Sequence, residues 1–445
     1  MSAVPALLTD LYQLTMAQAY FASRMQGQAT FELFARRLPP TRRVLLACGL
    51  EQVVGYLENL AFTRGEIEYL GSLRLFSADL LEYLARLRFT GSLHALSEGT
   101  PFFANEPVLR VTAPIIEAQI VESRIINLVH LQTLIASKAL RCVLAARGRR
   151  LVDFGLRRAH GAEAGLLAAR AAYLAGFDAT ATVEAGRAFG IPLSGTMAHS
   201  FVEAHAGESD AFENFLRWHP GAATLLIDTY DTARGAARVV ELVRRGLPSG
   251  RRVHSVRIDS GDLSVATRTV RGILDAGGCQ EVGIVLSGNL DERRIARLLA
   301  DGVPADAFGV GTSLDVSADA PALDMAYKLE EYAGTPRRKR SPGKLTWPGT
   351  KQVWRRRGAD GRLAGDTLAL AEEVHPGEPL LREIMREGRR LGEPPSLVAA
   401  REHCRARVAE LPDALRLLED GPAPYPLTIS EPLQALVARM DAAGD

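Results

Sequence analysis

Residues able to do chemistry recur in six short segments, each directly after an apolar run: Asp153–Arg158 (DFGLRR), Gly195–Ser200 (GTMAHS), Asp228–Thr232 (DTYDT), Arg257–Asp262 (RIDSGD), Ser287–Asn289 (SGN) and Gly309–Ser313 (GVGTS). His199 is the sharpest single residue among them. Imidazole titrates near neutral pH, so a histidine in such a place can act as nucleophile or base when a carboxylate orients its other nitrogen. Asp228 and Asp231 are both candidates for that partner; a satisfied structural histidine is the plainer alternative. Arg257 and Asp259 lie two apart in an extended run and so share a face. The arginine fork clamps phosphate or carboxylate, and Asp259 or Asp262 beside it can hold a ribose hydroxyl or Mg²⁺. The alternative is an internal ion pair, with Asp259 or Ser260 capping the next helix. Ser287–Asn289 and Gly309–Ser313 have the character of loops whose backbone amides bind phosphate, although a tight turn alone also explains each. Neither is a Walker A loop, and neither is a dinucleotide fingerprint.

These segments need a frame that brings strand ends together, and the intervening sequence supplies the pattern of one. Strands are expected at 151–154, 224–227, 253–258, 283–286 and 307–310, with a further short strand leading into Gly195. Helical spacing covers 162–173, 182–189, 233–245, 263–276 and 291–301. Strands that alternate with helices argue a parallel sheet or barrel, and such folds carry function just after the carboxyl ends of the strands. Earlier in the chain, helical spacing runs over 11–20 and over 117–146, the latter as one long helix broken at most once. A strand is expected at 29–34, and short strands over 91–111 broken by Gly99, Pro101 and Pro107. After about residue 333 the pattern changes. Pro336–Lys344 is a basic loop with Arg337, Arg338, Lys339 and Arg340, read as a solvated loop or a cover over an anionic substrate. A hairpin is expected over 345–354.

Composition bounds the function. The chain has 445 residues, long enough for two or three domains. Its 53 Lys and Arg against 52 Asp and Glu leave a formal net charge of +1. So even a balance predicts no bulk binding to nucleic acid or to an anionic membrane. Cys48, Cys142, Cys279 and Cys404 lie far apart, with no Cys-x-x-Cys pair, so neither a zinc knuckle nor a disulfide framework is expected. Reduced thiols fit a cytoplasmic setting. The opening MSAVPALLTDLYQL lacks a basic leader, and no long charge-free apolar run follows. Neither a signal peptide nor a transmembrane helix is expected.

Taken in order, LLTDLYQLTMAQAY, FELFARRLP, HALSEGTPFFANEPVLRV, DFGLRRAHG, GTMAHSFV, VRIDSGDL, FGVGTSL and AYKLEEYAGTPRRKRSPGK resemble the nicotinate phosphoribosyltransferase family over nearly the whole chain. The resemblance implies an α/β protein with the type II phosphoribosyltransferase fold. It is an irregular, incomplete α/β barrel, with an α/β domain built from the N-terminal segment and returning C-terminal chain. The corresponding divisions are 1–135, 136–332 and 333–445. It implies a homodimer with shared active sites that joins nicotinate to 5-phosphoribosyl 1-diphosphate, giving nicotinate mononucleotide and diphosphate in NAD biosynthesis. It also implies Mg²⁺, and ATP hydrolysis through a phosphohistidine.

By this resemblance His199 is the phosphorylated histidine and Asp228 orients it. Phe154 stacks on the base, Arg157 meets its carboxylate, Thr196 lies beside it, and Tyr12 comes from the other subunit. Arg257 and Asp259 meet the ribose and diphosphate, while Gly288, Asn289, Gly311 and Thr312 hold the 5-phosphate. The metal ligands are not implied residue by residue. The sister enzyme that takes nicotinamide also has an arginine at the position of Arg157, and it is the wording of the motifs that favours nicotinate. A non-catalytic paralogue is the reading from a different class, and the joint presence of His199, Asp228 and Arg257 argues against it.

Overall fold

The computed structural model describes residues 5–219, 221–247, 250–341, 343–421 and 425–443. The first four residues of the opening segment and Pro342 of the basic loop lie outside the described residues. The chain divides into two compact units: one holds the residues up to Leu134 together with those from Ala322 onward, the other is Ile135–Pro321.

The first unit is built on an antiparallel sheet. Strand Gln28–Ala35 lies between Met325–Tyr332 and Pro107–Pro114, and Ser92–Ala95 joins Pro107–Pro114 to Arg382–Arg386. The residues of Gln28–Ala35 beyond Gln28 are all buried, which a strand flanked on both edges and covered on both faces demands. Met325–Tyr332 is a correction to the expected division at residue 332. Seven residues of Gln28–Ala35 pair with it, so the chain leaves the second unit about ten residues earlier than its polar loops indicated. The expected hairpin over 345–354 is also displaced. Lys351–Arg357 pairs instead with Leu363–Leu370, turning through Gly358–Arg362. A buried ion pair, Arg355 with Asp366, ties these two strands together.

The helical stretch before the second unit breaks once, into Ile115–Ile120 and Glu122–Ala146. Glu122–Ala146 is long and apolar enough to cross a membrane by composition, with a window of mean hydropathy 1.3, but 78% of that window is buried inside the structure. It is therefore a core helix.

The second unit is a six-stranded parallel sheet. Its spatial order is Ala179–Thr180, Arg150–Asp153, Ala307–Val310, Gly283–Leu286, Arg252–Ile258 and Ala222–Leu226. Among the described residues, in chain order the strands run round a ring that pairs everywhere except between Ala179–Thr180 and Ala222–Leu226, hence an incomplete barrel. The strand expected before Gly195 is only a single bridge, Leu193 to Thr180, at that open seam. Short helices His199–Glu203 and Glu208–Trp218 occupy the intervening chain. Crossover helices Ala162–Ala175, Thr232–Arg245, Leu263–Ala276 and Glu292–Ala300 follow the sheet's strands. Three of these helices start on an aspartate cap. Asp231 accepts from the Arg234 amide at 2.8 Å, Asp262 from Ser264 at 2.9 Å, and Asp291 from Arg294 at 2.7 Å. Because all the strands are parallel, every one of the polar segments that follow them emerges at the same end of the sheet.

Candidate active site

At that end lies a cavity of about 230 Å³ lined by Phe154, Arg157, Arg158, Arg257, Asp259 and the loops at 287–290 and 309–312. Arg257 organises it. Its Nε donates to Ser287 Oγ at 2.8 Å, one terminal nitrogen to Thr196 Oγ1 at 3.1 Å, and the other to Asp259 Oδ1 at 2.6 Å. The guanidinium carbon also stands 5.4 Å from the centre of the Phe154 ring. Three of the expected residues, Phe154, Thr196 and Asp259, are thus drawn together by one side chain, and the plane of the fork is fixed before any ligand arrives.

Asp259 accepts from Ser287 Oγ as well as from Arg257, both on Oδ1. Burial by itself would raise its pKa, but those two hydrogen bonds, with the positive charge of Arg257, hold it below the usual carboxylate range. A fixed anion therefore sits beside a fixed cation.

His199 and Asp228 meet as expected. His199 Nε2 is 3.2 Å from Asp228 Oδ1, with side-chain exposures of 39% and 1%. The other carboxylate oxygen of Asp228 accepts from the Asp259 amide at 2.8 Å and the Ser260 hydroxyl at 2.6 Å. With Nε2 donating to the carboxylate, the lone pair falls on Nδ1. Asp231, the other candidate partner, is spent on its helix cap, and so is Asp262. The capping assigned to Asp259 or Ser260 as an alternative is thereby excluded.

The glycine loops have steric reasons. At Gly288, φ is +88° and an added Cβ would lie 2.0 Å from the Asp259 carbonyl oxygen, so only glycine lets the loop pass the Arg257–Asp259 strand end. At Gly309 an added Cβ would lie 2.3 Å from the Phe154 ring. The ring therefore packs against bare backbone at Gly309, and the Arg257 guanidinium lies over it. Gly288, Asn289, Gly311 and Thr312 all line the cavity, whereas Arg157 and Arg158 line it without a carboxylate partner among the described residues. Free arginines on a cavity wall suit an anionic ligand.

Tyr12 belongs to the first unit, on helix Leu11–Ala22. Gln13, Leu14 and Ala17 are that helix's buried residues, while Tyr12 is 48% exposed. Tyr12 therefore lies outside the core, although the same helix carries the apolar Leu11, Leu14 and Met16. Sequence reasoning missed Ser287 as a partner of Arg257, Arg158 as a cavity residue, and Ser260 as a donor to Asp228. Each is a hydroxyl or cation inside a segment already singled out, and no local spacing marks its side-chain direction.

An open parallel α/β barrel with an arginine-centred anion cavity at the carboxyl ends of its strands defines a phosphoribosyltransferase of the type II fold. Family models described as the N-terminal domain, the family proper and the C-terminal domain of nicotinate phosphoribosyltransferase match residues 7–130, 149–334 and 376–437. The chain is 50% identical over 438 residues to a nicotinate phosphoribosyltransferase of Mycobacterium tuberculosis, covering 98% of this chain and 94% of that one. To the Bacillus subtilis nicotinate phosphoribosyltransferase it is 40% identical, covering 85% and 78%. The crystal structure of human nicotinic acid phosphoribosyltransferase superimposes with a TM-score of 0.86 at 31% identity, over 97% of this chain and 99% of that one. A nicotinate-nucleotide pyrophosphorylase from Pyrococcus furiosus does so with a TM-score of 0.74 at 26% identity, over 91% and 95%. The chain belongs to the nicotinate phosphoribosyltransferase family of enzymes.

Proposed function

We propose that the chain joins nicotinate to 5-phosphoribosyl 1-diphosphate, forming nicotinate mononucleotide and diphosphate for NAD biosynthesis, and couples this to ATP hydrolysis through His199. The observation that carries the reading is the Arg257-centred cluster, which gathers Phe154, Thr196, Asp259 and Ser287 around a cavity walled by two free arginines.

Phe154 offers a face for the pyridine ring, and Arg157 a cation for its carboxylate. The glycine loops at 288–289 and 311–312 offer amides for the 5-phosphate, which aims the anomeric carbon at the ring nitrogen. That nitrogen attacks the carbon as the bond to diphosphate breaks. The pyridine has no proton to lose, so the step needs no general base. What it needs is stabilisation of charge growing on the leaving group, which Arg257 is placed to supply.

Among the described residues no group of three or more His, Cys, Asp or Glu is arranged to hold a metal. That fits Mg²⁺ carried mainly by substrate phosphates. Asp259, whose two side-chain bonds both fall on Oδ1, is the residue placed to add a ligand through Oδ2. Such a cation would offset charge on the diphosphate.

In the ATP step, His199 Nδ1 takes the terminal phosphoryl group as the bond to ADP breaks, and water later releases phosphate from the nitrogen. Asp228 stabilises the positive charge the ring acquires. Tyr12, exposed on the first unit, is assigned to the site of a partner subunit in a homodimer, across the nicotinate ring from Phe154. A cytoplasmic setting belongs to the same reading; the four cysteines are free and buried.

The test is a turnover assay for nicotinate mononucleotide with nicotinamide as competitor. Nicotinate should be converted and nicotinamide should compete poorly; equal use of both bases would overturn the choice of nicotinate over nicotinamide as substrate. Arg157→Ala should raise KM for nicotinate about ten- to a hundredfold, from the loss of a charge-assisted pair of about 1.5–3 kcal/mol. The KM for phosphoribosyl diphosphate should change far less.

A further inference from the structure

Two carboxyl groups meet directly behind the cavity, between the turn that carries Phe154 and Arg157 and the loop that carries Gly311 and Thr312. Asp153 ends the Arg150–Asp153 strand, and Asp315 ends the short helix Thr312–Asp315. They are 1% and 3% exposed. Asp153 accepts from the Gly155 amide at 2.8 Å and from Thr180 Oγ1 at 2.7 Å. Asp315 has nothing comparable: both of its oxygens are buried without a hydrogen-bond partner. Its carboxyl lies on the open face of the Gly155 Cα, where an added Cβ would come within 2.1 Å of Cγ. The two groups therefore converge on Gly155, one at its amide and one at its Cα.

The charged groups of the adjoining elements are turned elsewhere. Arg157 and Arg158 line the cavity. On helix Ala162–Ala175, Glu163 is exposed and Arg170 lies over the Phe189 ring at 6.0 Å. Asp178 accepts from the Leu151 amide, and Asp319 is paired with Lys138. Two carboxylates without a cation cannot both stay ionised in so dry a place. Burial, then the charge of Asp153, pushes Asp315 up to about 9; burial also raises Asp153.

We propose that Asp153 and Asp315 share one proton, and that this acid–carboxylate pair is a positioning device that fastens the ring-stacking turn to the phosphate loop. The proton resides on Asp315, whose O–H donates to Asp153, while Asp153 keeps its bonds from Gly155 and Thr180. With the proton in place the two loops are held at one spacing. When it is lost, two negative charges face each other and the loops part. The catalytic consequence rests on the nicotinate reading above; the shared proton itself does not.

The experiment has two arms. Infrared difference spectroscopy between wild type and Asp315→Asn at neutral pH should show a protonated-carboxyl band in the wild type that fades as pH rises past about 9. This arm needs no turnover, so it stands apart from any failure of the substrate assignment. In the second arm, wild-type KM for nicotinate should rise about tenfold between about pH 8 and pH 10. Asp315→Asn, whose amide donates at every pH, should hold its KM within about twofold across that range. Identical spectra in the protonated-carboxyl region would overturn the shared proton. The same alkaline rise of KM in both proteins would overturn the positioning role.

Discussion

His199 and Asp228 divide one task between a half-exposed ring and a buried acid. In the proposed ATP step Nδ1 of His199 is the reacting atom, while Asp228 meets the ring, the Asp259 amide and the Ser260 hydroxyl. His199→Ala is expected to abolish labelling of the protein by γ-labelled ATP while leaving some ATP-independent synthesis, since the base and ribose residues are untouched. Asp228→Asn keeps the shape but not the charge and should slow labelling by about ten- to a hundredfold. A mutant lacking His199 that labels like wild type would refute the phosphohistidine. At the same scale, Asp315 makes a stability prediction. Its folded pKa of about 9 lies above the unfolded value. Between about pH 4 and pH 9 the folded chain binds a proton that the unfolded chain has released, so its contribution to stability falls as pH rises through that window. Asp315→Asn removes this slope. Its Tm should exceed that of wild type by about 2–5 °C at pH 8, and the gap should shrink towards pH 5, as thermal melts across pH would read.

Among the elements, the loops that end the Gly283–Leu286 and Ala307–Val310 strands are both proposed to offer amides to the 5-phosphate, but Gly288 backs the Asp259 strand end and Gly309 backs the Phe154 ring, so substitutions at these two glycines should separate the two substrates. A methyl at Gly309 collides with the Phe154 ring, and a methyl at Gly288 collides with the Asp259 backbone beside Arg257. Gly309→Ala should raise KM for nicotinate by about tenfold with a smaller change for phosphoribosyl diphosphate; Gly288→Ala should do the reverse. Equal effects of both changes on both substrates would mean that the two loops shift as one, against the separate support that Gly309 gives Phe154 and Gly288 gives the Arg257–Asp259 strand end. The helix after the 287–291 loop begins at Glu292, a buried carboxylate paired with Lys138 and Arg141. Removing one partner of such a cluster typically costs about 3–5 kcal/mol. Substitutions there would therefore report on folding rather than on the reaction.

At the scale of the whole molecule, the assembly prediction rests on Tyr12. It is exposed beside Leu8 and Leu11, which are 51% and 53% exposed. If Tyr12 completes a partner's site, an inactive Tyr12→Ala chain mixed with an inactive Arg257→Ala chain should regain activity. Random pairing gives about half mixed dimers with one intact site each, so recovery near a quarter of wild type follows. No recovery after verified exchange of subunits would place both residues in the same chain's site.

By itself the sequence determined most of the second unit's elements, because those signals are local. Apolar runs set strands such as 253–258, found at Arg252–Ile258, and apolar periodicity set helices such as Leu263–Ala276, found with those bounds. It also determined which segments hold the site, since parallel strands carry the residues that follow them to one end. Direction and partnership were not legible. Asp228 and Asp231 are equally acidic and three residues apart, yet backbone geometry sends one to His199 and the other to a helix cap. The strand Met325–Tyr332 belongs with Gln28–Ala35 only because a pairing across almost three hundred residues of chain is satisfied there. Tyr12 reads as core from its apolar neighbours, and only the packing of Gln13, Leu14 and Ala17 turns it outward. Asp153 and Asp315 are 162 positions apart in the sequence. Nothing local couples them, and their shared environment exists only once the Ala307–Val310 strand has paired with Arg150–Asp153. Local propensity is written residue by residue, whereas burial, ion pairing and proton sharing depend on which distant surfaces meet.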